Sequence, residues 1–284
     1  MTPIPPAKWG ERPVRRWSLA ELTDLGLPSP VREQLATAGL PEAVGPYFEV
    51  TDEPVRLADF AREYGLPEPP VETAAFWHLG SDNGSEICCD ASGRVWSVFC
   101  EIRLPSRLVN TSVGAWLATL AEFVQLRDQL SSAPIGPEAV AAVDGFRARL
   151  TEIDPDAMTD PDHWWPLVAD DLRLTASVDA GGVFEFRTDS GAIRQVTGYT
   201  VPGQGHVERR LWHELESNGI EPEQVTRVHT DLEPCMLPGG YCADWLAVTF
   251  PEAQVTYSFG YGPSPADRAR GVSELIAFVE ESDQ

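Results

Sequence analysis

The last third of the chain alternates strand-like and helix-like segments, and this order limits the fold more than any other feature. Two strand-like segments come first, over 183–187 and 192–199, with the turn signal Asp189-Ser190-Gly191 between them. Helix and strand patterns then alternate over 205–218, 224–231, 242–250, 253–261 and 265–281. The order β-β-α-β-α-β-α predicts an α/β domain over 176–284, with a small sheet and helices packed on its faces.

Polar residues that can bind a metal lie where predicted strands lead into predicted helices. His206 and Glu208 begin one helix, and Cys235 and Cys242 flank the start of the next. Catalytic zinc takes three nitrogen or sulfur ligands from the protein and keeps a fourth position for water. We therefore predict that His206, Cys235 and Cys242 bind Zn²⁺ and that Glu208 transfers protons. The ligands meet in one cleft if the strands before the two helices are parallel neighbours.

Four further residues are weaker candidates for substrate binding. Arg209 and Arg227 can hold a phosphate, although surface ion pairs explain such arginines equally well. Asp231 and Glu233 precede Cys235 and can shape the mouth of a pocket, or lie in a solvated loop. No binding residues for an organic cofactor are predicted.

The pattern His-x-Glu followed by Pro-Cys and a second Cys, with the Glu as general acid and base, is typical of nucleobase deaminases. The segment resembles the deaminase domains of bacterial polymorphic toxins. The resemblance rests on four segments: 206–211, 230–235, 239–242 and 255–259. It implies a zinc-dependent hydrolase that acts on a cyclic amidine C–N bond. Its substrate would be cytosine or adenine, in a nucleotide or in single-stranded nucleic acid.

The spacing of the two cysteines departs from the common motif. Six residues separate Cys235 from Cys242, whereas the common motif has two. Pro238-Gly239-Gly240 lies in this insertion and can form a tight turn that returns Cys242 to the metal.

The N-terminal half has a different pattern. Three short strand-like segments over 74–100 are separated by Asp82-Asn83-Gly84 and Ser92-Gly93, and a helical pattern follows over 113–129. This predicts an α+β domain over 18–130 with antiparallel strands and helices. Residues 1–17 are predicted to be a loose, proline-rich arm, and 131–175 a linker with a short helix.

The predicted N-terminal domain is similar to the SUKH superfamily of bacterial immunity proteins. The similarity rests on packing and turn residues in five segments: 25–28, 46–48, 76–84, 93–98 and 108–112. It implies a domain that binds and neutralises a toxin or effector protein. A structural domain with the same layout is the alternative, because a fold does not determine a function.

Composition restricts the partners and the environment. The net charge of −23 disfavours binding to long nucleic acid duplexes, because such binding relies on Lys and Arg. This favours a free nucleotide, a short single strand, or a partner that delivers nucleic acid. An acidic surface also suits a basic protein partner. No stretch reaches the roughly 18 apolar residues of a membrane span, and the N-terminus has no signal-peptide pattern. We expect a cytoplasmic protein, unless a dedicated secretion system exports it.

Five cysteines are too few, and odd in number, for a disulfide framework. We expect reduced thiols, with Cys88, Cys89 and Cys100 packed as small hydrophobic residues. A redox role for Cys235 and Cys242 is disfavoured because their spacing is not Cys-x-x-Cys.

Two readings of the function remain open. In the first, the chain is a zinc-dependent nucleobase deaminase linked to a toxin-immunity system. In the second, it is an immunity protein that neutralises a toxin, with an inactive or accessory deaminase-like domain. The SUKH-like domain can also serve an active deaminase as a built-in chaperone, inhibitor or targeting module.

Overall fold

The fold comes from a computed structural model that describes residues 9–131 and 135–282. The chain divides into two compact units. The N-terminal unit comprises residues 1–128 and 144–169, and the C-terminal unit comprises 129–143 and 170–284, so that each contains two stretches of chain.

An antiparallel sheet forms the centre of the N-terminal unit. A small ribbon precedes it, in which β1 (Val14–Arg15) pairs with β2 (Leu40–Pro41). The sheet itself has five strands in chain order, all antiparallel: β3 (Glu49–Arg56), β4 (Trp77–Ser81), β5 (Glu86–Cys89), β6 (Val95–Val98) and β7 (Arg107–Asn110). The predicted α+β class with antiparallel strands is confirmed.

Short helices flank the first strands, and three longer helices follow β7. The short ones are α1 (Leu19–Asp24), α2 (Ser29–Ala38) and α3 (Leu57–Glu63). Ser18 caps α1, since its hydroxyl accepts from the Glu21 amide at 3.2 Å and the Glu21 carboxylate accepts from the Ser18 amide at 2.6 Å. The longer helices are α4 (Val113–Leu130), α5 (Pro137–Ile153) and α6 (Trp164–Thr175).

The range 131–175 was predicted as a linker with a short helix, and α5, with 17 residues, occupies the place of that helix. The structure differs in adding α6, with 12 residues, and Trp164 and Trp165 are fully buried in the N-terminal unit. The Trp165 ring packs against Phe123 and Phe146, with ring centres 5.7 and 5.8 Å apart. The Asp-Pro pairs of this region suggest loops, but its aromatic residues contribute to the core. Residues 132–134 lie outside the described part of the chain.

The described part of the predicted loose arm is also packed. Residues 1–8 lie outside the described residues. Trp9 and Trp17 are buried, and their indole N–H groups donate to the backbone oxygens of Ala38 and Asp52, both at 3.1 Å. Two buried tryptophans therefore hold this part of the arm against the N-terminal unit.

The C-terminal unit has the predicted order β-β-α-β-α-β-α. Its elements are β8 (Gly181–Arg187), β9 (Ile193–Tyr199), α7 (Val207–Ser217), β10 (Val225–Leu232), α8 (Cys242–Thr249), β11 (Gln254–Phe259) and α9 (Pro265–Ser282). The predicted α/β class is therefore confirmed.

The strand order corrects one premise of the sequence analysis. The sheet runs β11-β10-β8-β9, with β10 and β11 parallel and β8 antiparallel to both of its neighbours. The strands that precede α7 and α8 are β9 and β10, which are parallel to each other but separated by β8. They are not the parallel neighbours that the predicted cleft assumed.

Close packing of α7 on the sheet brings the two helix starts together despite the intervening strand. A Cβ atom at Gly182 in β8 would lie 2.8 Å from Val207, and one at Gly198 in β9 would lie 2.9 Å from Leu211. Only glycine permits this approach. The core between α7, α8 and the sheet contains Phe184, Leu211, Trp212, Val228, Leu246 and Phe250.

Candidate metal centre and active site

His206 is the N-cap residue of α7, and its imidazole is free of the capping role. Its backbone is extended (φ −72°, ψ 158°), and its side chain makes no cap hydrogen bond. The Thr200 hydroxyl instead accepts from the Val207 amide at 3.2 Å. One of the unpaired amides at the helix start is thus satisfied, and the imidazole can face the sulfur atoms.

The loop between Cys235 and Cys242 folds back on itself. Cys235 follows β10, and Cys242 is the first residue of α8. The Ala243 amide donates to the Cys235 carbonyl at 3.0 Å, which closes the loop at its base. Gly239 and Tyr241 have positive φ values of 83° and 43° and reverse the chain. The insertion therefore returns the second cysteine to the first.

The three predicted metal ligands come together. Nδ1 of His206 lies 3.3 Å from Sγ of Cys235 and 3.7 Å from Sγ of Cys242. The three ligand atoms all lie within 4.8 Å of one another, and both cysteines are buried. Among residues 9–131 and 135–282, this is the only group of three His, Cys, Asp or Glu side chains arranged in this way.

The donor set fits zinc. Tetrahedral zinc with bonds of about 2.3 Å to sulfur and 2.0–2.1 Å to nitrogen places N and S ligands roughly 3.5 Å apart. The distances of 3.3 and 3.7 Å bracket this value. One imidazole and two thiols also leave one position of the tetrahedron open.

The charges around the site favour a thiolate at Cys235. Burial raises the pKa of Cys235, but the hydrogen bond with Cys242 and the nearby His206 lower it to about 6. Burial lowers the pKa of His206, yet the Asp171 carboxylate and Cys235 raise it well above its usual value. Metal binding at such a site releases protons, because the ligands bind as neutral imidazole and thiolate.

Asp171 and Tyr261 contact the site, and the sequence analysis missed both. Nε2 of His206 lies 3.0 and 3.1 Å from the two Asp171 oxygens, and the Tyr261 hydroxyl donates to Asp171 at 2.8 Å. Asp171 lies on α6, in the stretch predicted as linker, about 35 positions before His206. Spacing along the chain gave no signal for a partner so distant.

Glu208 lies in the first turn of α7 and is only 3% exposed. It lines a small cavity of about 20 Å³ together with His206, Thr230, Glu233 and Tyr261. The hydrogen bond with Cys235 and burial raise the pKa of Cys242 well above its usual value, and the charge of Glu208 and a hydrogen bond with it raise the pKa further. The carboxylate therefore lies beside the sulfur of Cys242. This position suits a proton carrier next to the metal site.

The two predicted arginines lie outside the lining of this cavity. The Arg209 guanidinium stacks over Trp245, 4.2 Å from the ring centre, and its Nε donates to the Gly240 carbonyl at 3.0 Å. Arg227 is exposed on β10. A substrate phosphate contact for either residue remains a prediction.

The two predicted carboxylates accept hydrogen bonds from backbone amides of residues that line the cavity. Asp231 accepts from the Gly181 amide at 2.6 Å. Glu233 accepts from the Tyr261 amide at 3.0 Å and lines the cavity. Of the four weaker candidates, Glu233 alone belongs to the described lining, and its contact with a substrate stays a prediction.

The fold and the site together define two classes of domain within one chain. The N-terminal unit is an α+β domain around an antiparallel sheet, and the C-terminal unit is an α/β domain of the deaminase type with a His/Cys/Cys group. The profile of the SUKH-4 immunity protein family matches residues 7–171, more than half of the 284-residue chain, and the chain belongs to that family. The profile of the Xanthomonas-like deaminase family matches residues 179–278.

The predicted fusion of an N-terminal SUKH domain with a C-terminal deaminase domain is therefore confirmed. No significant match was found among curated proteins or solved structures. Across the described residues, the helices are too short or too polar to cross a membrane.

Proposed function

We propose that the deaminase domain is a zinc-dependent hydrolytic deaminase that acts on a nucleobase, cytosine or adenine. The convergence of His206, Cys235 and Cys242 beside the buried Glu208 carries this proposal. The match to the deaminase family supports it independently.

The reaction needs an activated water and a proton carrier. Zinc held by His206, Cys235 and Cys242 would supply a Lewis acid with one open position for water. Glu208 accepts a proton from the attacking water and donates it to the ring nitrogen. It then helps the amino group to leave as ammonia, so that water and the exocyclic C–N bond become a carbonyl and NH₃.

The cavity of about 20 Å³ has room for a water molecule, and its charges disfavour a phosphate. Its lining includes the carboxylates of Glu208 and Glu233, and the described lining residues include no Lys or Arg. With a net charge of −23, the protein should repel long duplexes. These features support a free nucleotide or a short single strand as the substrate.

The test compares Glu208→Gln with Glu214→Gln, a change on the exposed face of the same helix. Cytidine, adenosine, their nucleotides and short single strands are incubated with zinc-loaded protein, and products are identified by mass spectrometry. We expect Glu208→Gln to keep one zinc per chain and to lose about 10²–10⁴-fold in ammonia release. Glu214→Gln should match the wild type.

Unchanged turnover in Glu208→Gln would remove this residue from the mechanism. Zinc-loaded wild type that deaminates none of these substrates would refute nucleobase deamination, while the metal site would stand.

We also propose that the SUKH domain binds a basic toxin or effector protein. A surface groove of about 400 Å³ in the N-terminal unit supports this second function. Carboxylates of Glu42 and Glu49 line it, and the aromatic rings of Phe60 and Tyr64 form part of its wall. Asp52 and Arg15 also line it, and these two pair with each other at 2.7 Å. Carboxylates beside aromatic faces suit the guanidinium or ammonium group of a partner.

The double variant Glu42→Lys/Glu49→Lys tests this groove, with Glu11→Lys/Asp24→Lys as a control of equal charge change at exposed sites of the same unit. The probe is a synthetic octapeptide of alternating Arg and Gly, with binding measured by calorimetry at physiological salt. We expect the groove variant to weaken binding about tenfold, or roughly 1.4 kcal/mol, and the control to change it little. Equal weakening by both variants would show non-specific attraction and refute the groove.

A further inference from the structure

The carboxylate of Asp171 faces the back of the proposed zinc ligand His206. Asp171 is 3% exposed, and both of its oxygens lie within 3.1 Å of Nε2 of His206. The deaminase profile begins at residue 179, so Asp171 lies before the segment that this family defines. The match to the deaminase family therefore assigns no role to Asp171.

We propose that Asp171 is a positioning residue that fixes the tautomer and the ring orientation of His206 for metal binding. This inference rests on the zinc site of the proposed function. A carboxylate only accepts hydrogen bonds, so Nε2 must carry the proton that it donates to Asp171. Once metal binding releases the proton on Nδ1, this atom is left with its lone pair toward the two sulfur atoms, as a metal ligand requires.

The surroundings hold Asp171 itself in place. The buried Tyr261 hydroxyl donates to Oδ1 of Asp171 at 2.8 Å, and the Tyr261 amide donates to Glu233 at 3.0 Å. Tyr261 follows β11, so the carboxyl end of the parallel pair β10 and β11 fixes both its backbone and its ring. The chain of contacts runs from the sheet through Tyr261 and Asp171 to the imidazole.

The neighbouring Asp170 supplies a matched control. It accepts from the Arg268 guanidinium on α9 at 2.7 and 3.0 Å, and Arg268 is 1% exposed. Asp170 and Asp171 are thus adjacent residues of the same type in the C-terminal unit, and each hydrogen-bonds with another side chain of that unit. Of the two, Asp171 is the one that contacts the proposed metal ligand.

The experiment measures zinc affinity of the full chain by competition with a chromophoric chelator. We expect Asp171→Asn and Asp171→Ala to weaken zinc binding by about 10–100-fold, as is usual for loss of such partners, with Ala at the upper end. Asp170→Asn should lower the thermal stability but keep the zinc affinity of the folded protein. Asp171→Asn preserves shape and an acceptor oxygen, so it keeps the test valid if Asp171→Ala does not fold.

A second readout follows the tautomer directly. In ¹⁵N spectra of the histidine ring, the zinc-loaded wild type should show His206 protonated only at Nε2, and the Asp171→Asn spectrum should change at this residue. Wild-type zinc affinity and an unchanged spectrum in Asp171→Asn would overturn the positioning role. If the wild type itself binds no zinc, the proposed function fails instead, so the two failures are distinguishable.

Discussion

The two units contain the same kinds of metal-binding residues, but within 9–131 and 135–282 only the C-terminal unit brings three of them together. The N-terminal unit carries His78 beside Cys88 and Cys89, and its His78 Nε2 lies 2.8 Å from a Glu86 oxygen. The C-terminal unit has His206 with Cys235, Cys242 and Asp171. Composition alone would not separate these two sets.

The difference lies in the elements that carry the residues. In the N-terminal unit His78 pairs with Cys88 across β4 and β5, and Cys89 points to the opposite face because side chains alternate along a strand. Cys88 packs into an apolar cluster with Leu57 and Val98. In the C-terminal unit the proposed ligands lie on a helix cap, a loop and a helix start. Their three side chains can therefore point toward one position.

The largest expected effect separates the two cysteine sets by metal content. Cys242→Ala removes a proposed ligand, so zinc per chain should fall from about one to near zero. Cys88→Ala should leave the zinc content unchanged, since this thiol lies in an apolar cluster. Elemental analysis of both purified proteins measures this, and an equal loss of zinc in both variants would contradict the distinction between the two sets.

Zinc should stabilise the C-terminal unit and not the N-terminal one. Binding to the native state alone adds about 2.7 kcal/mol to its stability at a free metal concentration 100 times Kd. Hydrogen exchange followed by mass spectrometry, with zinc and with chelator, should show slower exchange in α7 and α8 on metal binding. Equal protection of β4 and β5 would mean that the metal also binds the N-terminal unit.

Thiol reactivity sharpens the comparison further. The pKa of Cys235 is lowered to about 6, whereas burial raises the pKa of Cys89 to about 12 and of Cys100 to about 11. In metal-free protein at pH 7.5, the lowered pKa favours the thiolate of Cys235. Both thiols are buried and react only on local opening, and iodoacetamide should then label Cys235 faster than Cys89. Peptide mapping checks the order, and zinc should protect Cys235. Similar rates for both residues would contradict it.

The smallest expected effect concerns Asp90 in the N-terminal unit. Its carboxylate accepts hydrogen bonds within a turn, whereas Asp171 lies against a proposed metal ligand. Burial raises its pKa, but hydrogen bonds from Ser92 and the Trp96 indole lower it below its usual value. A lowered folded-state pKa stabilises the fold above the unfolded-state value, and this contribution disappears as pH falls through the lowered pKa.

Asp90→Asn should therefore reduce the free energy of unfolding at neutral pH by about 1 kcal/mol, and by less in acid. Denaturant titrations at several pH values measure the difference. A deficit that grows in acid would contradict the assigned hydrogen bonds.

Much of the fold followed from local pattern. The seven-element order of the C-terminal unit was predictable because each segment has its own hydrophobic period and its own turn or cap residues. The antiparallel strands around Asp82-Asn83-Gly84 were predictable for the same reason. The packing of 131–175 was not predictable, because Trp164 and Trp165 are buried by contacts with Tyr47 and Phe123, which are far away in the chain.

The sequence by itself determined which side chains can bind the metal, since their chemistry and their places at helix starts are local properties. Only the tertiary structure decided that Asp171 lies against His206 and that α7 packs closely on Gly182 and Gly198. These depend on contacts between distant segments, and periodicity carries no information about distances across a fold.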